Sequence, residues 1–113
     1  LSDQQGERQV PLEQIRYLLS QDRGIEIYLQ TGRKWFPCLF RQAAERLADE
    51  ADFVQISRSC IVNLNEVLHL GNADCHLKNG EALPISRRER QTVLTRYNDF
   101  AFRGMNRAKE AGL

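Results

Sequence analysis

Residues 75–89 read CHLKNGEALPISRRE, and the reading of this stretch decides what kind of fold to expect. Residues 75–78 and 81–83 are two extended runs separated by Asn79-Gly80. Asn-Gly between such runs is the strongest short hairpin signature, because a two-residue turn of the favoured twist needs positive φ at both positions. Pro84 places the return strand at an edge or at its own end, since proline offers no N–H to a ladder. Ser86-Arg87-Arg88-Glu89 then has the form of a capping box: the serine accepts from first-turn amides and the glutamate reaches back. Behind it Val93, Leu94, Tyr97, Phe100 and Ala101 recur at helical spacing. After about Phe102 the helical pattern weakens and the end is expected to fray.

Working back toward the N-terminus, the same alternation recurs. Ile15, Tyr17 and Leu19 alternate with Arg16 and Leu18, which reads as a half-buried strand. Ser20-Gln21-Asp22-Arg23-Gly24 is a polar turn. Ile25, Ile27 and Leu29 alternate with Glu26, Tyr28 and Gln30, and Thr31-Gly32 turns the chain into Lys34-Trp35-Phe36. Residues 39–50 change period: Phe40, Ala43, Ala44, Leu47 and Ala48 form one helical stripe. Residues 53–64 are rich in β-branched side chains and are interrupted by Ser57-Arg58-Ser59. Residues 67–70 form another short strand, closed by Gly71-Asn72. The order is mainly β with two short helices, near 39–50 and 87–101. No crossover long enough for a repeated βαβ unit occurs, which argues against a parallel α/β fold.

Composition bounds the function. With 113 residues the chain is one domain by length. Hydrophobic residues at 42% and charged residues at 27% are ordinary for a globular protein, so disorder and collagen-like structure are excluded. No apolar run approaches the roughly 18 residues that span a bilayer, and no signal segment opens the chain. Three widely spaced cysteines, Cys38, Cys60 and Cys75, give no disulfide framework and fit a reducing cytoplasm. Residues 1–9 are almost wholly polar and read as a linker remnant of a longer protein. Cys75 and His76 are adjacent, so on a strand they face opposite ways and do not share an ion. No phosphate loop, nucleophile elbow or metal-ligand spacing appears, which leaves enzyme and metal-protein readings without a constellation, and no cofactor is expected.

Lys and Arg number 16 against 15 Asp and Glu, a net charge of +1 that does not by itself point to nucleic acid. Position changes the picture. Residues 1–50 carry net −1, whereas residues 86–109 carry seven basic and two acidic residues. Arginines outnumber lysines 13 to 3, and arginine suits bidentate contacts to phosphate and guanine. Three places break a local rule. Arg87 and Arg88 stand where the helix dipole is already positive; they are either solvated surface charges or an anion site. Arg58 sits between two serines inside a β-branched run, either as one polar position of an alternation or as a phosphate or base contact. Gln21-Asp22-Arg23-Gly24 is either a plain turn or a binding loop on a rigid scaffold.

The residues around these places resemble the LytTR-type DNA-binding domain, the C-terminal effector module of many bacterial response regulators. Residues 11–17 (PLEQIRY) are similar to its opening strand, 58–63 (RSCIVN) to its Arg-Ser motif with Val-Asn behind it, and 79–88 (NGEALPISRR) to its late hairpin and Ser-Arg-Arg element. The resemblance spans about residues 10–98 and leaves 99–113 as a helical tail. It implies about ten short, mostly antiparallel strands in small packed sheets. It also implies binding of double-stranded DNA at promoter repeats, through loops placed in successive major grooves, often as a homodimer and with bending of the DNA. An upstream receiver or other sensor domain goes with this, as does a cytoplasmic location without membrane contact by the domain itself. Carried over position by position, Arg23, Arg58 and Arg87 are its contact residues. Ser57 stands where the family usually has histidine, and Cys60 where it usually has an aromatic residue.

On this reading Arg58 and Arg87 reach base edges, Arg88, Arg90, Ser57 and Ser59 hold phosphates, and Gln21 and Arg23 belong to the first loop. The low net charge then predicts weak non-specific binding. The alternative is a protein-interaction module using an exposed sheet edge, with Trp35, Phe36 and Phe40 as its apolar surface. The composition of those three residues fits the core better.

Overall fold

Strand β1 (Ile15–Gln21) buries Ile15, Tyr17 and Leu18, a pattern that strict alternation does not produce. The computed structural model, which describes residues 10–110, shows why. A bulge between Ile15 and Tyr17 shifts the register against β2 (Gly24–Leu29), and both faces of β1 are covered. Ile15 and Leu18 belong to one core cluster, Tyr17 to another. The expectation of a half-buried strand with Leu18 facing out is therefore corrected: Leu18 is fully buried.

β1 lies at the centre of a five-stranded antiparallel sheet. Its order is β3 (Gly32–Phe36), β2, β1, β5 (Cys60–Asn63), β4 (Phe53–Ser57). One face carries Ile15, Leu18, Ile25, Ile27, Leu29 and Phe36 against Ala43 and Leu47 of helix α1 (Phe40–Leu47). The other face carries Val54, Ile56, Cys60 and Val62. It packs on a second antiparallel sheet, β6 (Val67–Leu70), β7 (Asp74–Leu77) and β8 (Ala82–Pro84), and on Val93 of helix α2 (Arg90–Glu110). The mainly β architecture with two helices is as the sequence indicates, with eight strands among the described residues. The expected linker over residues 1–9 lies outside the described residues.

Three local expectations change. Asn79-Gly80 does not form a two-residue turn: only Gly80 has positive φ, at 95°. Leu77 and Glu81 close a three-residue loop, with the Gly80 N–H donating to the Leu77 carbonyl at 3.0 Å. The Asn79 side chain is turned to Glu81, accepting from its N–H at 3.0 Å and donating to its carboxylate at 2.6 Å. Second, the capping box is half formed. Ser86 Oγ accepts from the Glu89 N–H at 3.3 Å, but the Ser86 N–H is already given to the Ile56 carbonyl at 2.9 Å. Arg87–Glu89 thus form a lead-in turn, and α2 begins at Arg90. Third, α2 continues to Glu110 where the sequence pattern weakens.

Asn63, the Asn of the RSCIVN stretch, is the buried polar residue that fixes the corner after β5. Its Nδ2 donates to the Ile15 carbonyl at 2.8 Å, and its Oδ1 accepts from the Asn65 backbone at 2.9 Å and side chain at 3.0 Å. Tyr17 joins the sheets: its hydroxyl donates to Glu81 Oε2 at 2.7 Å while its ring stacks on Tyr28, centroids 4.4 Å apart.

Asn63→Ala strands the Ile15 carbonyl and removes an acceptor. It is expected to lower unfolding free energy by about 2–3 kcal/mol, the scale for two or three bonds lost at a buried site. An unchanged midpoint in urea would contradict the assigned role. The Tyr17–Glu81 bond gives a pH signature. Donation from Asn79, then from Tyr17, holds the Glu81 carboxyl below its ordinary 4.5. Burial, reinforced by Glu81, pushes the Tyr17 phenol above its ordinary 10.0. A depressed carboxyl stabilises the fold above pH 4.5, and that contribution fades as pH falls; a raised phenol stabilises it below pH 10.0, fading as pH rises. Tyr17→Phe is expected to cost about 1 kcal/mol at neutral pH, modest because Glu81 stays partly in water. It also removes the alkaline decline due to this phenol, read by thermal unfolding across pH.

Candidate nucleic-acid interface

The first candidate loop is the turn between β1 and β2. Gln21 pairs with Gly24, so Asp22 and Arg23 alone span it. Both are left-handed, with φ of 52° and 62°. This is the turn that matches the right-handed twist of the strands, yet it holds arginine where Gly is usual. The second loop is Arg58-Ser59 between β4 and β5, closed by the Ser57–Cys60 pair. Neither residue has positive φ, and a register shift between Gln55 and Ser57 absorbs the mismatch in twist. Ser57 Oγ accepts from the Ser59 N–H at 3.3 Å, so this hydroxyl shapes its own turn. The third loop is the lead-in turn Arg87–Glu89.

Two backbone hydrogen bonds bring the three together. The Ser20 N–H donates to the Ser59 carbonyl at 2.9 Å, tying the first loop to the second. The Ser86 N–H donates to the Ile56 carbonyl at 2.9 Å, tying the third to the outer edge of β4. Because β1 and β5 are antiparallel neighbours with Leu19 opposite Cys60, both hairpin turns lie at one end of the sheet. The loops therefore stand in a row across that end.

Gln21, Arg23, Arg58, Ser59, Arg87, Arg88 and Arg90 are exposed, and Ser57 is half-buried. None of the five guanidinium groups has a hydrogen bond or ion pair among the described residues. Other arginines are committed. Arg96 donates to the Phe53 carbonyl at 2.6 Å and the Glu50 carbonyl at 3.2 Å. Arg103 donates to the Ala51 carbonyl at 3.1 Å and approaches Asp52 at 3.7 Å. These two staple α2 to residues 50–53, at the opposite end of β4 from Ser57. The basic stretch after Ser86 is thus divided between the loop row and architecture.

Of the three aromatic residues assigned to the core, Phe36 is buried and Phe40 packs against the core, but Trp35 is 44% exposed. Its indole lies over Gly24, and its Nε1 donates to the Gln21 carbonyl at 3.0 Å. Sequence reasoning placed Trp35 with the apolar residues; the glycine directly after the Asp22-Arg23 turn was the available signal for a ring passing over it. Burial pushes the Cys60 thiol up to about 12 and the Cys75 thiol to about 11, so neither is a ready nucleophile. No group of three His, Cys, Asp or Glu residues able to hold a metal occurs among the described residues.

No curated protein matches the chain. The LytTr DNA-binding domain of a methyl-accepting/DNA response regulator from Bacillus cereus is similar in structure, with a TM-score of 0.65 at 22% identity. The match covers 86% of this chain and 92% of that one. At this identity the likeness concerns the fold alone. The sequence profile of the LytTr DNA-binding domain matches residues 6–98, most of the chain, and the chain belongs to that family.

Proposed function

We propose that this domain is the sequence-specific DNA-reading part of a bacterial transcriptional regulator, and that the row of three loops is its reading surface. The observation that supports the proposal is that the arginine-bearing loops lie in a row at one end of the sheet, tied by the Ser20–Ser59 and Ser86–Ile56 hydrogen bonds, with five guanidinium groups uncommitted among the described residues. Arg58 and Arg87 reach guanine edges, where a bidentate guanidinium pairs with O6 and N7. Arg23 and Gln21 form a third contact point. Arg88, Arg90, Ser57 and Ser59 hold phosphates and set the register.

The row has a definite length. With strands about 4.8 Å apart, the three turns span roughly 17 Å of backbone. Successive major grooves on one face of B-DNA repeat at about 34 Å. Arginine side chains splayed from the outer loops shorten the gap, and bending of the DNA toward the domain closes the rest. Bending makes the sequence between the contacts matter through its deformability. Binding as two copies on paired repeats, in the cytoplasm and under control of an upstream receiver or other sensor, completes this reading.

Arg58→Ala and Arg87→Ala are each expected to weaken binding to the cognate repeat by about 1–3 kcal/mol and to flatten base preference at one position. Arg88→Ala is expected to weaken cognate and random DNA alike and to reduce the salt slope by about 1. Arg96→Ala is expected to lower thermal stability and leave the salt slope as it was. Selection of sites from random DNA, followed by titration of each variant, reads all of these. Unchanged affinity and preference in both Arg58→Ala and Arg87→Ala would sink the proposal.

A further inference from the structure

Trp35 has no reason to be where it is as a core residue. It lies on the edge strand β3, 44% exposed, the only tryptophan in the chain. Its backbone pairs with Glu26 of β2, while its indole reaches one rung of the β1–β2 hairpin. The indole Nε1 donates to the Gln21 carbonyl at 3.0 Å, on one side of the rung. On the other side the ring covers Gly24: a methyl placed there would fall 2.6 Å from Cζ2 and 2.7 Å from Cε2, and would also meet the Phe36 carbonyl oxygen. Gln21 and Gly24 are the pair that closes the Asp22-Arg23 turn. The ring therefore spans the base of the turn, and the absence of a side chain on residue 24 admits it.

The turn needs such support. Arg23 has φ of 62°, a conformation that L residues with a long side chain adopt only when the surroundings dictate it. Freed from the rung, residues 22 and 23 would relax toward other turn conformations and Arg23 would point elsewhere. Preorganising a long side chain lowers the entropy lost when it binds.

We infer that Trp35 is a positioning residue for DNA recognition: its indole clamps the Gln21–Gly24 rung and so aims Arg23 at the base or phosphate it contacts. The inference rests on the DNA-reading role proposed above and adds to it a residue that itself need not touch DNA.

The test is a double-mutant cycle on the whole chain with Trp35→Ala, Arg23→Ala and the pair, titrated against a labelled duplex carrying the selected site. Base preference is profiled for each protein. Trp35→Ala is expected to weaken binding about two- to tenfold, the scale of ordering one long side chain. Combined with Arg23→Ala it should add almost nothing, because both changes remove the same contact. Preference at the positions read through Arg58 should stay as in the wild type. Trp35→Phe keeps a ring over Gly24 but loses the bond to Gln21, and should fall between wild type and Trp35→Ala. It serves alone in the cycle if the alanine variant does not fold. Strictly additive losses overturn the inference, as does a Trp35 variant that binds and discriminates like the wild type. A wild-type domain that binds no duplex overturns the DNA reading and this inference together, whereas additivity overturns the inference alone.

Discussion

One hydrogen bond, from the Ser86 N–H to the Ile56 carbonyl, has three consequences for the rest of the molecule. β4 is an edge strand of the five-stranded sheet, and an edge with open carbonyls is a template for unwanted pairing. Ser86 covers part of that edge with the chain leaving the second sheet. The same residue turns its Oγ to the Glu89 N–H and starts the turn that leads into α2. Ile85 and Val93, on either side of it, are then buried beside Ile56 in the core between the layers. Finally, the bond sets Arg87 one step beyond the turn that bears Arg58. Edge protection, helix initiation and placement of Arg87 are thus one local geometry. This explains why the glutamate half of the capping box is given up: the N–H that Glu89 would take has a partner that joins two layers.

Charge follows the same economy. A chain with nearly equal numbers of acidic and basic residues has no large field to hold DNA non-specifically. It distinguishes its arginines by what surrounds them. Arg96 and Arg103 spend their donors on the carbonyls of Glu50, Phe53 and Ala51, where the backbone leaves α1 for β4. Arg23, Arg58, Arg87, Arg88 and Arg90 meet no acid among the described residues. Unpaired guanidinium groups keep their full donor set for a ligand, and their number, not the net charge, sets the phosphate contacts available.

Much of this is legible in the sequence, and the remainder fails for identifiable physical reasons. Alternation identifies β2 because that strand packs on one main core face. It misleads for β1, where layers on both sides and a bulge bury Leu18. Arg58 and Arg87 stand out because each opposes a local preference, a strand interior in one case and the positive start of a helix in the other. Their convergence is not legible from residue spacing, since it depends on pairings between residues far apart, Leu19 with Cys60 and Ile56 with Ser86. Asn79-Gly80 has the stronger turn signature but only one left-handed residue. Its asparagine side chain is drawn into the Glu81 and Tyr17 network that bridges the sheets.

The left-handed pair appears instead at Asp22-Arg23, where the sequence holds no glycine. Glycine or asparagine at residue 23 would relieve the backbone, and such a substitution is the kind that stabilises a domain without changing its fold. A chain shaped for stability alone would not place arginine there. Arginine in this conformation is sustained by what holds the rung beneath it. The Ser20 N–H is fixed to Ser59, and the Trp35 indole lies across Gln21 and Gly24. Strain of this sort is held from two sides and ends in a guanidinium group left uncommitted among the described residues, an arrangement that the proposed reading role of the loop accounts for and that a plain connecting turn does not need.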